Sequence, residues 1–96
     1  MTTTAIASAT AEASSAGFSL GTGESINVYA STDLGVGEVV SLQVSPNTGT
    51  TWIPVVDERY RGVVLSDTVQ SQTVTGPGYF RLVKTPTVVA TAVYYD

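Results

Sequence analysis

The chain contains neither cysteine nor histidine, and each absence closes off a class of chemistry. Without cysteine there is no disulfide and no thiol nucleophile. Without either residue there is no structural zinc site of the usual kind. Missing histidine also removes the ordinary Ser-His-Asp triad and imidazole acid–base catalysis. Cations are scarce too: Arg59, Arg61, Arg81 and Lys84 are the only four, against eight carboxylates. Four scattered cations do not neutralise a phosphate backbone, so nucleic acid is not expected as a partner. Attachment to an anionic membrane through a basic patch is excluded for the same reason. No apolar run approaches the roughly 20 residues that span a bilayer. The first residues lack the basic and apolar segments of a secretory signal. The expectation is a protein made in the cytoplasm that leaves it only as part of an assembly.

What remains for catalysis is a carboxylate pair, as in glycoside hydrolysis. Asp57 and Glu58 are adjacent, and on a strand they would point to opposite faces. Asp33, Glu38 and Asp67 fall in expected loops or at strand ends, where carboxylates face water. Gly21-Thr22-Gly23 lacks the spacing and the following helix of a phosphate-binding loop and reads as a turn. The chain is therefore expected to be non-enzymatic and to need no cofactor or metal. At 96 residues it makes one small domain with no covalent or metal staple. Such domains have little stability to spare, which makes self-association or docking an expected source of support.

What is present is valine and threonine, with glycine and serine between them. β-branched side chains suit a pleated strand and are mediocre in a helix. Residues 1–16 are a separate material, almost all Thr, Ala and Ser, with Ile6 the one large apolar side chain. That composition predicts disorder in isolation and an extended N-terminal arm that is ordered by lying on a neighbouring subunit. From residue 17 the strand signal is nearly continuous. Strands are expected at 18–20, 24–30, 38–45, 52–56, 62–67, 68–75, 79–85 and 87–95. The clearest is 38–45, where Val40, Leu42 and Val44 alternate with Val39, Ser41 and Gln43. Phe80 and Leu82 likewise alternate with Tyr79, Arg81 and Val83. Pro54 marks an edge strand or bulge, and Gly76-Pro77-Gly78 a tight turn. Asp57 to Arg61 reads as a charged loop. About eight short strands with no helical period predict a single all-β domain over residues 17–96. Its architecture is expected to be a small antiparallel sandwich, jelly-roll-like or Ig-like, or a barrel.

One motif is specific. Ser45-Pro46-Asn47-Thr48-Gly49-Thr50-Thr51-Trp52 resembles the Asp-box, S-x-D-x-G-x-T-W, which folds as a β-hairpin, with Asn47 standing where that family usually has Asp. Asn47 can bond nearby backbone and tolerates left-handed geometry, Gly49 supplies positive φ, and Trp52 starts the return strand. In sialidases the motif recurs once per propeller blade. Here it occurs once, in a chain too short for a propeller, so the resemblance implies a structural hairpin (Ser45, Asn47, Gly49, Thr51, Trp52) and no sialidase activity.

Over residues 36–95 the wider pattern, VSLQVSPNTGTTWIPV, a short charged loop, then GPGYFRLVK and an apolar last strand, resembles small β-sandwich virion proteins of tailed bacteriophages. That resemblance implies a capsid decoration or cement protein, bound to the major capsid protein or another virion protein and to copies of itself, and located on the virion. A tail, connector or head-fibre component is the alternative position. A different class, a carbohydrate-binding or adhesion domain, would use Trp52 or the tyrosines as stacking platforms. Candidate interface residues are Ile6 in the arm, Arg59, Tyr60 and Arg61 in the charged loop, and Tyr94 and Tyr95 in the last strand, since Tyr and Arg are favoured interface anchors.

Overall fold

The computed structural model describes residues 2–55 and 63–96. Ten strands follow in order: β1 (Thr3–Ala9), β2 (Ala13–Ser14), β3 (Phe18–Leu20), β4 (Ser25–Ala30), β5 (Val40–Val44), β6 (Ile53–Pro54), β7 (Val63–Leu65), β8 (Ser71–Thr75), β9 (Gly78–Lys84) and β10 (Thr91–Tyr95). The described residues contain no helix. All eight strands expected from the sequence are present, most of them shorter than the alternation suggested, and β1 and β2 are added within the Thr/Ala/Ser-rich segment.

The strands form two antiparallel sheets, consistent with a small β-sandwich. One sheet has the order β1-β10-β4-β8. In the other, β9 and β5 pair centrally. β2 and β3 lie in succession along the free side of β9, and β6 and β7 along the free side of β5. Pro54 is on β6, at that margin, where its missing N–H breaks no central ladder.

Alternation decides what is buried. On β5, Val40 and Leu42 face inward, and on β9, Phe80, Leu82 and Lys84 do. Val28, Val74 and Val93 supply the facing layer from the other sheet, and Leu34 joins the cluster from the loop before β5. Burying a leucine such as Leu42, Leu65 or Leu82 is worth about 1.5–3 kcal/mol relative to leaving it exposed. Every buried side-chain nitrogen and oxygen among the described residues has a hydrogen-bond partner.

Lys84 is the exception to the usual inside–outside division. It is 0% exposed because the alternation that buries Phe80 and Leu82 also points residue 84 inward. Its ammonium donates to the Ala11 carbonyl (2.8 Å) and the Thr85 carbonyl (3.2 Å).

That first contact helps to order the N-terminal segment. Residues 3–9 run extended along β10 of the same chain, with register shifts on either side of Ile6. The Thr10 carbonyl accepts from Thr87 N–H (2.8 Å), and the Ser15 hydroxyl oxygen accepts from Leu82 N–H (2.9 Å). The segment thus passes from one sheet edge to the other, β1 on β10 and β2 on β9. The order its composition alone does not supply comes from backbone pairing with its own chain.

Candidate functional site

Three surface features are built from local rules: the hairpin after β5, the outer face of the β9–β5 sheet, and the outer face of the four-stranded sheet.

The hairpin is tied together by two side chains. Ser45 is buried, and its hydroxyl oxygen accepts from Gly49 N–H (2.7 Å) and Asn47 N–H (3.3 Å). The same hydroxyl donates to Asn47 Oδ1 (2.9 Å), which also accepts from Thr51 N–H (2.8 Å). Asn47 Nδ2 donates to Thr51 Oγ1 (3.1 Å). Gly49 has the positive φ expected of it (107°), while the left-handed non-glycine residue is Thr48 (φ 55°), one position later than the asparagine the sequence pointed to. The reason is that Asn47 reaches forward across the loop to Thr51, and the chain reverses within the three residues between. Side-chain oxygens at 45 and 47 are consumed by these bonds and close the turn on itself.

Trp52 leaves the hairpin and lies over the outer face of the β9–β5 sheet. Its ring stacks on Tyr79, with centroids 5.8 Å apart and planes at 27°. The Arg81 guanidinium carbon sits 4.7 Å from the Trp52 centroid, and Arg81 Nε donates to Gln43 Oε1 (2.6 Å). Tyr79 and Arg81 share this face because they alternate with buried Phe80 and Leu82, and the β5–β9 register places Gln43 opposite Arg81. Tyr79 crosses directly over Gly17, where any β-carbon would come within 2.5 Å of its ring. All four side chains are partly exposed.

On the opposite side of the molecule, one row crosses the whole four-stranded sheet. Thr4 pairs with Tyr94, Tyr94 with Tyr29, and Tyr29 with Ser71. The Tyr29 and Tyr94 rings are 5.7 Å apart at 45°, and Thr2 Oγ1 lies 3.2 Å from the Tyr29 hydroxyl. Beside this row Thr73 Oγ1 donates to Asn27 Oδ1 (2.9 Å). None of the four strands of this sheet carries a charged residue.

The residues named as interface candidates are thus dispersed. Tyr94 faces outward beside Tyr29. Tyr95, its neighbour on the strand, must point the other way, and it stacks on Phe18 at 5.0 Å against the core. Ile6 is 3% exposed and belongs to the core of its own chain. Arg59, Tyr60 and Arg61 lie outside the described residues. The sequence pattern places Gln43 outward on one strand and Tyr79 and Arg81 outward on another, without bringing them together. The missing signal is the pairing of β5 with β9, which local pattern does not contain.

One further cluster organises the rim. Glu38 accepts from Gly35 N–H (2.7 Å) and Val88 N–H (2.8 Å), holding two loops together. Those amides, first Gly35 and then Val88, with a smaller contribution from Lys84, hold its carboxyl below the usual value of 4.5. Val36 and Val88, carried by the two joined loops, are almost fully exposed.

Comparison with known proteins finds no matching family model, no matching curated protein and no matching solved structure.

Proposed function

We propose that this chain is a non-enzymatic structural protein of a bacteriophage virion. In this reading it decorates or cements the capsid, docking through the outer face of its four-stranded sheet onto the major capsid protein and neighbouring copies. The virion setting rests on the sequence resemblance over residues 36–95. The observation that carries the docking mode is the Thr4–Tyr94–Tyr29–Ser71 row on a sheet without charge. Tyrosines contribute large contact area at low entropic cost, and hydroxyls adapt to many acceptors. Burying the row itself desolvates no ion.

Because β1 is part of the sheet, deleting the N-terminal segment would test folding and docking together. Substituting Tyr29 and Tyr94 jointly by serine separates them. The double variant should keep its circular dichroism spectrum, lose co-sedimentation with capsids, and run as monomer where the parent self-associates. Undiminished capsid occupancy would refute the docking face. Antibody labelling of phage particles should mark heads. Labelled tails would move the protein to the alternative position as a tail, connector or head-fibre component, and unlabelled particles would end the virion reading.

A second reading, a carbohydrate-binding or adhesion domain, is favoured by one observation. Trp52 lies partly exposed on an outer sheet face beside Tyr79. If glycans bind there, Trp52 fluorescence should change on titration.

A further inference from the structure

We infer that the Trp52–Tyr79–Arg81 platform is selective for a saccharide that carries a carboxylate, the sugar ring lying against the aromatic surface and the carboxylate meeting the Arg81 guanidinium. This rests on the carbohydrate-binding reading and adds a charge requirement to it.

Arg81 is held in a defined orientation from two sides. Its Nε donates to Gln43 and its guanidinium carbon sits over the Trp52 ring. Neither contact is with an anion, although the chain carries eight carboxylates. The two terminal nitrogens make no hydrogen bond with any described residue. They are the pair that matches a carboxylate in bidentate geometry.

Among the described residues Arg81 has no exposed cation beside it. The other described cation, Lys84, is fully buried and committed to two backbone carbonyls. Arg81 is thus the one solvent-facing cation among the described residues of a chain whose net charge is −4. An anionic ligand therefore has a single place on the described surface where a positive group meets it.

The platform is preorganised as well. Tyr79 crosses Gly17, where no side chain could intervene, and Trp52 is placed by the closed hairpin. Ligand binding then costs little side-chain entropy, which is where surface sites usually lose affinity. Aromatic rings alone would take a neutral sugar equally well. Only the oriented, unpaired guanidinium distinguishes an acidic one.

The test uses the full chain and the fluorescence of Trp52, its single tryptophan. Oligogalacturonate, its methyl ester and polyglutamate are titrated in parallel at low and high salt. The acidic sugar should bind at least about tenfold more tightly than the ester, with affinity falling as salt rises. Arg81→Gln should bring the acidic sugar to the ester's level, and Arg81→Lys should recover part of the difference, because it restores charge without the planar fork. Unchanged thermal unfolding shows that both variants are folded. Equal binding of acid and ester overturns the charge requirement and leaves the carbohydrate reading standing. No binding of either sugar overturns both. Polyglutamate binding as tightly as the acidic sugar overturns the saccharide assignment, because the platform would then recognise carboxylate alone.

Discussion

Replacing Ser45 by alanine removes one oxygen and tests whether the hairpin is closed by side chains or by its strands. That oxygen makes three hydrogen bonds, to Gly49 N–H at 2.7 Å, to Asn47 N–H at 3.3 Å and to Asn47 Oδ1 at 2.9 Å. A typical net contribution is about 0.5–1.5 kcal/mol per bond, the longest being the weakest. Gly49 and Asn47 are exposed, so water replaces part of what they lose. The expected cost is therefore about 2 kcal/mol. For a domain of this length each kcal/mol moves Tm by about 4–8 °C, so the melting point should fall by about 8–16 °C. Urea denaturation followed through Trp52 reads the same quantity independently, with an unchanged m-value if the unfolded state is unaltered. Asn47→Asp is the control. A carboxylate retains the acceptor for Ser45 and Thr51 N–H and loses only the Nδ2 bond to Thr51, so it should stay within about 1 kcal/mol of the parent. A loss below about 0.5 kcal/mol in Ser45→Ala would refute the argument and assign the turn's stability to the β5–β6 pairing alone.

Other perturbations follow from the same contacts. Thr48→Gly relieves a β-branched residue at φ 55° and should stabilise the protein by up to about 1 kcal/mol in urea denaturation, net of the entropy glycine adds to the unfolded chain. Lys84→Met keeps the buried stem and removes the ion, so it should lie within about 1 kcal/mol of the parent, whereas Lys84→Ala, which opens a cavity beside Ala11, should cost at least about 2 kcal/mol more. Glu38 has a folded pKa below its ordinary value, so its stabilising effect is complete above that value, near 4.5, and is lost as pH falls through the folded one. The Tm gap between the parent and Glu38→Gln should accordingly close on acidification through and below that point; a gap independent of pH would show that the carboxylate's charge is not what joins the two loops.

Most of the fold is legible in the sequence because one face of each strand is buried. Val40 and Leu42 on β5, and Phe80 and Leu82 on β9, announce their inward side by alternation alone. The same rule placed Lys84 inward, against the expectation that a lysine is solvated. Here geometry overrides residue type, because the Ala11 carbonyl is within reach of the buried ammonium. The rule also separates Tyr94 from Tyr95, since neighbours on a strand cannot share a face, and inward-facing Val93 fixes which tyrosine packs against the core. What alternation does not encode is pairing across the chain. The β1–β10 contact joins residues at opposite ends of the sequence, and β1 offers Ile6 as its only large apolar anchor. The Arg81–Trp52 stack depends on β9 lying beside β5 and on a hairpin returning at the right register. The motif at 45–52 is readable as a turn, but the surface beneath Trp52 appears only once the sheet is assembled.

The distribution of charge gives the two sheets different capacities. Every carboxylate among the described residues (Glu12, Glu24, Asp33, Glu38, Asp67 and Asp96) lies between strands or at the chain end. Five of them therefore place negative charge at the rims of the sandwich, while Asp96, whose backbone pairs with Asn27, stands at one end of the face that carries Tyr29 and Tyr94. Two copies approaching rim to rim meet like charge, whereas copies meeting a partner across the Thr4–Tyr94–Tyr29–Ser71 row bury aromatic and hydroxyl groups and leave Asp96 at the margin of the contact. Rim repulsion is long-range and screened by salt, while face contact is short-range and nearly indifferent to it. A protein that associates through this face should hold its assembly, or strengthen it, as ionic strength rises. The platform around Arg81 must do the opposite, because its proposed selectivity depends on the one exposed cation among the described residues. Salt thus separates the two surfaces: it weakens carboxylate recognition on the β9–β5 sheet while leaving intact any docking by the sheet behind it.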